Sequence, residues 1–126
     1  MRRMIEVIPI QREYKGIGYI KSRKSDSKIM DMATDMKKVA YLKNIELVDV
    51  IVDSSSGRDV DREELDELVA WMEKDYIDVV VLKSIFDISK DDEELLKFLR
   101  KAEALGVSVY LLEHGVNVRC VPEAAI

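Results

Sequence analysis

The sequence has very few of the residues that build disulfides, metal centres or membrane spans. It contains one cysteine, Cys120, and one histidine, His114. One cysteine excludes an internal disulfide, and this pair supplies too few soft ligands for a zinc site. No apolar run approaches the roughly 18 residues of a membrane span, and the apolar part of "MRRMIEVIPI" is too short and too interrupted for a secretory signal. We therefore expect a cytoplasmic protein without a metal ion or a membrane anchor.

The motifs of the common nucleotide cofactors are also missing. The chain has five glycines. Gly16 and Gly18 give only G-x-G, without the third glycine of a dinucleotide fingerprint, and no Walker lysine motif occurs. Asp53 and Asp87 are candidates for an acidic Mg²⁺ site, but two carboxylates near strand ends are more often solvated loop residues. No cofactor is expected.

Acidic side chains outnumber basic ones, which limits the role of nucleic acid. The net charge is −5 and the pI is near 5.0, whereas a domain that binds DNA alone usually carries a basic balance. Two local clusters remain: "KSRKSDSK" with Lys21, Arg23 and Lys24, and "SSSGRDVDR" with Arg58 and Arg62. Arginine suits phosphate oxygens. The alternative is that these cations only balance surface acids.

Apolar segments of two periodicities alternate along the chain, and both prolines, Pro9 and Pro122, lie near its ends. β-branched and apolar runs predict strands over 17–21, 46–53, 77–84 and 107–113, and an edge strand over 4–10. Helical spacing predicts a first helix over 29–44. A second helix is predicted to begin at a cap at Asp61, with Glu64 in capping-box position. A third helix is predicted over 93–105, after a capping box of Ser89 and Asp92 and before Gly106.

Strands separated by single helices indicate an α/β fold, with a mostly parallel sheet and helices on both faces. Ligands of such sheets bind at the carboxyl ends of the strands. Three polar loops, 21–28, 53–61 and 83–90, are expected to gather there.

Three segments, in this order and spacing, resemble the catalytic domain of the serine recombinases, the resolvases and invertases. "VDSSSGRDVDREEL" resembles the family's Asp-x-x-Ser-Gly-x-x-x-Asp-Arg-x-x-Leu element, with Asp53, Arg62 and Leu65 in register. "IDVVVLKSIFDISKDDEELLKFL" resembles the strand, loop and helix of the Asp-Arg-Leu-x-Arg motif, and "LGVSVYLLEHGVNV" resembles the last strand. The likeness extends from about Gly18 to Val118. It implies a resolvase-like three-layer sandwich.

The resemblance also implies a mechanism. In the family, a serine in Tyr-x-Arg-x-Ser attacks a DNA phosphodiester and forms a 5′-phosphoserine link. Clustered arginines stabilise the extra negative charge of the pentacovalent transition state, and strand exchange takes place in a synaptic tetramer. The function expected from the resemblance is therefore site-specific DNA recombination.

The first catalytic motif is shifted in this sequence. "GYIKSR" places Lys21 at the family's arginine and Arg23 at its nucleophilic serine. Arg-x-Ser recurs two residues later and ends at Ser25, and a shift of two keeps the direction of a side chain on a strand. Ser25 is therefore the candidate nucleophile. Ser22 is the weaker candidate, because a shift of one turns a side chain to the other face.

The second catalytic motif is substituted. Phe86, Asp87 and Lys90 stand at the positions of its aspartate, central arginine and last arginine, so that only Arg62 is unchanged among the catalytic positions. A carboxylate in place of a guanidinium repels a phosphate. We expect impaired DNA cleavage, and a basic pocket lined by Lys21, Arg23, Arg62 and Lys90 with Asp87 opposing them.

The whole chain, 1–126, is expected to form one resolvase-like domain, with an extra edge strand within 1–15 and a truncated tail at 119–126. The family's long dimerisation helix and DNA-binding domain would follow that tail. DNA is then expected as a partner only within a longer protein or beside a partner recombinase, and a homodimer is expected. Two non-enzymatic alternatives stay open: a dimerisation or regulatory module, and a domain that binds a small anion such as phosphate.

Overall fold

The computed structural model describes residues 13–54 and 63–118. Within them the strands are β1 (Tyr14–Lys21), β2 (Ile45–Asp53), β3 (Val79–Leu82), β4 (Ser108–Leu111) and β5 (Val116–Val118). The helices are α1 (Asp26–Leu42), α2 (Glu63–Glu73) and α3 (Asp92–Ala104), and a 3₁₀ turn, Ile85–Asp87, follows β3. Among these residues no helix combines the length and the apolarity that a membrane span requires.

The strands form one sheet of order β2-β1-β3-β4-β5. The first four strands are parallel, and β5 is antiparallel to β4. The predicted α/β class with a mostly parallel sheet is thereby confirmed. β5 was not predicted, because a three-residue strand leaves no periodic pattern in a sequence. The edge strand predicted over 4–10 lies outside the described residues.

Helices cover both faces of the sheet. Alternate residues of β3 show the division: Val80 and Leu82 pack in the core beneath α2 and α3, whereas Val79 and Val81 pack beneath α1. The helices contribute buried side chains on each side: Leu68, Met72, Leu95 and Phe98 from α2 and α3, and Met36 and Ala40 from α1. Burial on both faces explains why 77–84 reads as a nearly continuous apolar run.

Two glycines allow β1 to lie close to its neighbours on the α1 face. A Cβ at Gly16 would lie 2.8 Å from Ile45 Cγ2, and a Cβ at Gly18 would lie 2.7 Å from Met36 Sδ. Real Cβ contacts of this length essentially do not occur. The G-x-G of this chain therefore serves close packing of a strand, which agrees with the absence of a dinucleotide fingerprint.

The helix ends correct one sequence prediction. α3 is capped by Asp91, whose side chain accepts a hydrogen bond from Glu93 N, so the prediction that Ser89 is the cap is wrong. Ser89 Oγ instead accepts from Asp91 N at 3.0 Å, which forms a turn just before the cap. Gly106 follows α3 with a φ of 73°, as predicted for a glycine stop. The predicted Asp61 cap lies outside the described residues.

Candidate functional site

A groove of about 460 Å³ lies where the carboxyl ends of β1, β3 and β4 approach α1. Its apolar lining residues are Ile20, Met32, Met36, Val39 and Leu112, and its polar lining residues are Lys21, Ser22, Lys24, Asp35, Lys83, Asp87 and Glu113. This is the edge of the sheet where parallel α/β folds bind their ligands. The predicted loops 21–28 and 83–90 both contribute to it.

The described charges of the groove are balanced. Of the residues that the structure describes, three cations line it, Lys21, Lys24 and Lys83, and three carboxyl groups line it, Asp35, Asp87 and Glu113. They come from separate segments: Lys21 ends β1, Lys83 follows β3, Glu113 follows β4, and Asp35 lies on α1. Within residues 13–54 and 63–118, the groove therefore shows no excess of the positive charge that a phosphodiester-cleaving centre needs.

The residues predicted to form a basic pocket are only partly brought together. Lys21 and Asp87 line the groove, as expected. Arg23 and Lys90 are exposed to solvent and are not among its lining residues. Arg62 lies outside the described residues, so its approach to residues 21–25 stays a prediction.

Sequence reasoning missed three charged residues of the groove. Lys83 directly follows the buried strand β3, and Glu113 lies two residues beyond β4, which are positions that the strand-end rule could have found. Asp35 lies between Met32 and Met36 on the stripe of α1 that lines the groove. Helical spacing could have found it, because residues three or four apart share a helix face.

Asp87 is a half-buried carboxyl group of the groove. Burial raises the pKa of Asp87 above its ordinary value. A backbone hydrogen bond from Ser84 and the charges of Lys83 and Lys21 lower this pKa, whereas the charge of Glu113 raises it. The groove thus holds, at Asp87, a carboxyl group that is partly desolvated and surrounded by both signs of charge.

The two candidate serines have different surroundings. Ser22 lines the groove, and its Oγ accepts a hydrogen bond from Lys24 N at 3.2 Å. Ser25 is the N-cap of α1: its side chain accepts from Lys28 N at 3.5 Å. The two-residue shift that favoured Ser25 requires a strand through that position, but β1 ends at Lys21. Strand direction therefore gives no reason to prefer Ser25.

A buried polar pair lies at the end of β2. Tyr19 and Asp53 are both 0% exposed, and Tyr19 Oη donates a hydrogen bond to Asp53 Oδ2. The interpretation of Asp53 as a solvated loop acid is therefore wrong. Asp53 is the last residue of β2, opposite Lys21 of β1, and its alternation with buried Ile51 is the signal that could have shown its burial. Within the described ranges no three His, Cys, Asp or Glu residues are grouped as a metal site requires.

Solved structures of recombinase catalytic domains have the same fold. The C-terminal catalytic domain of ISC1926 TnpA, an IS607-like serine recombinase, is 18% identical, with a TM-score of 0.69 over 78% of this chain and 68% of that chain. The N-terminal catalytic domain of TP901-1 integrase is 19% identical, with a TM-score of 0.68 over 82% and 80% of the two chains. A resolvase family site-specific recombinase from Streptococcus pneumoniae is 18% identical, with a TM-score of 0.68 over 83% and 76%. Identities this low show a shared fold.

Comparison with models of protein families identifies the family of this chain. No curated protein sequence gives a significant match. The family model described as "Resolvase, N terminal domain" matches residues 17–120, which is most of the chain and includes all five strands from Ile17 of β1 onward. Because this match covers more than half of the chain, it shows that the chain belongs to the resolvase N-terminal domain family, the domain of the serine recombinases.

Proposed function

We propose that this chain serves site-specific DNA recombination as a serine-recombinase domain whose own strand-cleavage chemistry is impaired. The observation that carries the proposal is the charge balance of the groove residues that the structure describes, three lysines against three carboxyl groups. DNA is engaged through a longer protein or a partner recombinase, because the net charge of −5 disfavours tight binding by this domain alone.

The loss of cleavage follows from electrostatics. Attack on a phosphodiester adds negative charge to the non-bridging oxygens, and preorganised cations must stabilise that charge. Here Asp87 lies in the groove beside Lys21, the residue aligned with the family's first arginine. Removing one such stabilising group commonly lowers a rate by about 10²–10³. A carboxyl group in its place adds repulsion when it is ionised.

The surroundings of the serines support the same conclusion. Ser25 stabilises the first turn of α1 through its hydrogen bond from Lys28 N, and a helix cap is an ordinary role for serine. Ser22 lies in the groove, but the described residues of the groove include no guanidinium. Lysine supplies charge without the planar fork that fits two phosphate oxygens.

The test is capture of a covalent protein–DNA adduct on a nicked suicide substrate, with an active serine recombinase as positive control. We expect no adduct with the wild-type chain, or with a longer protein that contains it. The triple substitution Phe86→Asp, Asp87→Arg and Lys90→Arg restores the family motif and is the matched variant. A wild-type adduct that disappears in Ser22→Ala or Ser25→Ala would contradict the proposal.

A second candidate function, a dimerisation or regulatory module, is favoured by exposed apolar side chains on α1. Met30, Tyr41 and Leu42 are 69%, 73% and 78% exposed. Self-association, or association with an active relative, would cover them. Sedimentation of the wild-type chain and of Tyr41→Ser/Leu42→Ser, alone and mixed with an active recombinase, tests this function. A wild-type chain that stays monomeric in both settings rejects it.

A further inference from the structure

We infer that the outer edge of β2 is an acceptor for an added strand, and that residues 4–10 of the same chain are the strand it accepts, antiparallel to β2. The inference is independent of the proposed function, because it concerns an edge of the sheet and not the groove at the strand ends. β2 comes first in the order β2-β1-β3-β4-β5, so within the described part of the chain one side of its backbone has no neighbouring strand. An edge of this kind readily pairs with another extended segment.

Hydrogen bonds to β1 show which residues of β2 point to that outer edge. Asn44 O, just before β2, accepts from Tyr14 N at 2.8 Å. At the other end, Asp53 O accepts from Ser22 N at 3.0 Å, so both carbonyls point toward β1. The direction alternates along a strand, and it shifts once, at Val48, which has no partner in β1. The residues that point outward are therefore Ile45 and Leu47 before the shift, and Val50 and Val52 after it.

Two observations place the acceptor in the amino-terminal half of this edge. Asp49 Oδ1 accepts from Val50 N at 2.8 Å, so a side chain already satisfies that outward amide. The irregularity at Val48 also interrupts the edge there. Ile45 and Leu47 remain, and both pack in the core beneath α1, where Ile45 is buried and Leu47 is only half-buried. A strand added beside them would cover Leu47 and extend this core.

Charge favours the chain's own segment over the β2 strand of a second copy. β2 carries three acidic residues, Glu46, Asp49 and Asp53, and no basic residue. Two β2 strands paired antiparallel would bring like charges close to one another, which is destabilising. Residues 1–12 instead contain three arginines and a single acid, Glu6. Their opposite charge suits an acidic edge strand.

The short link to β1 selects the β2 edge over the opposite edge of the described sheet. Tyr14 lies level with Ile45 in the register of β1 and β2. A strand outside β2 lies two strand spacings, about 10 Å, from β1, and the four Cα steps from Ile10 to Tyr14 span up to about 13–14 Å. A strand outside β5 lies four spacings, about 19 Å, from β1. Of these two edges, Ile10 therefore reaches the one at β2, and a strand that leads back to the start of β1 runs antiparallel to β2.

Pro9 determines which backbone groups of the added strand face β2. Proline has no N–H, and in an edge strand its nitrogen faces solvent. Ile8 and Ile10 then direct their backbone groups to β2, which predicts the hydrogen-bonded pairs Ile10–Ile45 and Ile8–Leu47. The side chains of such a pair lie on one face of the sheet. Ile8 is thus expected to pack beside Leu47 on the α1 side.

Two proline substitutions form a matched test by amide hydrogen exchange, followed by NMR on the full chain. Ile8→Pro removes an N–H that points to β2, whereas Val7→Pro removes one that points to solvent. The Leu47 amide should exchange at least about tenfold faster in Ile8→Pro than in wild type, and at the wild-type rate in Val7→Pro. The amide of Val80, in the middle of the sheet and 0% exposed, should stay protected in all three proteins and verifies that each is folded.

Nuclear Overhauser contacts identify the partner of the segment directly. The Hα atoms of Pro9 and Glu46 should be in contact, because these residues form the close pair between the two hydrogen-bonded pairs. Contacts from residues 4–10 to β5, no contact with any strand, or equal exchange of Leu47 in the two proline variants would each overturn the inference. Mixing isotope-labelled with unlabelled chains shows whether a contact joins one chain or two, and a contact between two chains would overturn it as well. A covalent DNA adduct would overturn the proposed function alone.

Discussion

Replacing Tyr19 by phenylalanine should lower the free energy of unfolding by about 1–3 kcal/mol. The Tyr19 hydroxyl donates to Asp53 Oδ2, and both residues are 0% exposed. Phenylalanine keeps the ring and its packing, so the substitution removes only the donor. Leaving a buried carboxyl oxygen with one donor fewer costs about 1–3 kcal/mol, because no water replaces the lost hydrogen bond.

Urea unfolding followed by circular dichroism measures the effect. Tyr41→Phe is the matched control, since Tyr41 is 73% exposed and its substitution should change stability by no more than about 0.5 kcal/mol. Asp53→Asn and the double variant complete a cycle, in which we expect a coupling energy of at least about 0.5 kcal/mol between Tyr19 and Asp53.

The same pair should affect the edge of the groove. Asp53 O accepts a hydrogen bond from Ser22 N at 3.0 Å, so the pair fixes the point where β1 leaves the sheet. Faster amide exchange of Ser22 in Tyr19→Phe is the expected accompanying change. If Tyr19→Phe unfolds at the same urea concentration as Tyr41→Phe, the hydrogen bond does not stabilise the buried carboxyl group and this reasoning fails.

Three further substitutions test packing, capping and titration. Gly16→Ala should cost about 1–3 kcal/mol in urea unfolding, because the new Cβ would lie 2.8 Å from Ile45 Cγ2; an unchanged midpoint would contradict the close packing. Ser25→Ala should cost about 0.5–2 kcal/mol as the loss of an N-cap, whereas Ser27→Ala, inside the exposed first turn of α1, should cost less than about 0.5 kcal/mol; equal effects would refute the capping role. Asp87→Asn should stabilise the fold at neutral pH: the raised pKa means that the native state holds the proton more tightly than the unfolded state, so wild-type stability falls as the pH rises through that range. Unfolding midpoints of the two proteins should converge as the pH falls below the ordinary carboxyl range, and a constant difference would exclude Asp87 as the titrating group.

The sheet and its layers could be predicted from the sequence because burial leaves a strong pattern. The run 77–84 is apolar at nearly every position since β3 is covered on both faces, and 93–105 shows the 3.6-residue period of a helix with one buried stripe. The observed ends of the helices and strands differ from the predicted ends by up to three residues. For example, α1 begins at Asp26, whereas periodicity predicted a start at residue 29. Polar first turns carry no apolar signal.

The candidate site was harder to predict because it depends on side chains from distant segments. Lys83 and Glu113 reach one groove only once β3 and β4 pair, and no local pattern encodes that meeting. Asp53 illustrates the opposite difficulty. As a charged residue at a strand end it reads as solvated, whereas the tyrosine of the neighbouring strand buries it.

The positions of these residues explain how the resolvase fold would be kept under the impairment of cleavage that we propose. The fold depends on groups with no exposure, such as Tyr19, Asp53 and Leu82, whose replacement costs kilocalories. The groove charges are half-buried or exposed, and such charges contribute about 0–1 kcal/mol to stability. A carboxyl group at position 87 thus changes the electrostatic potential at a phosphate in the groove far more than it changes the free energy of unfolding. Burial raises the pKa of Asp87, so the surrounding fold accommodates a carboxyl group there without gaining stability from its charge.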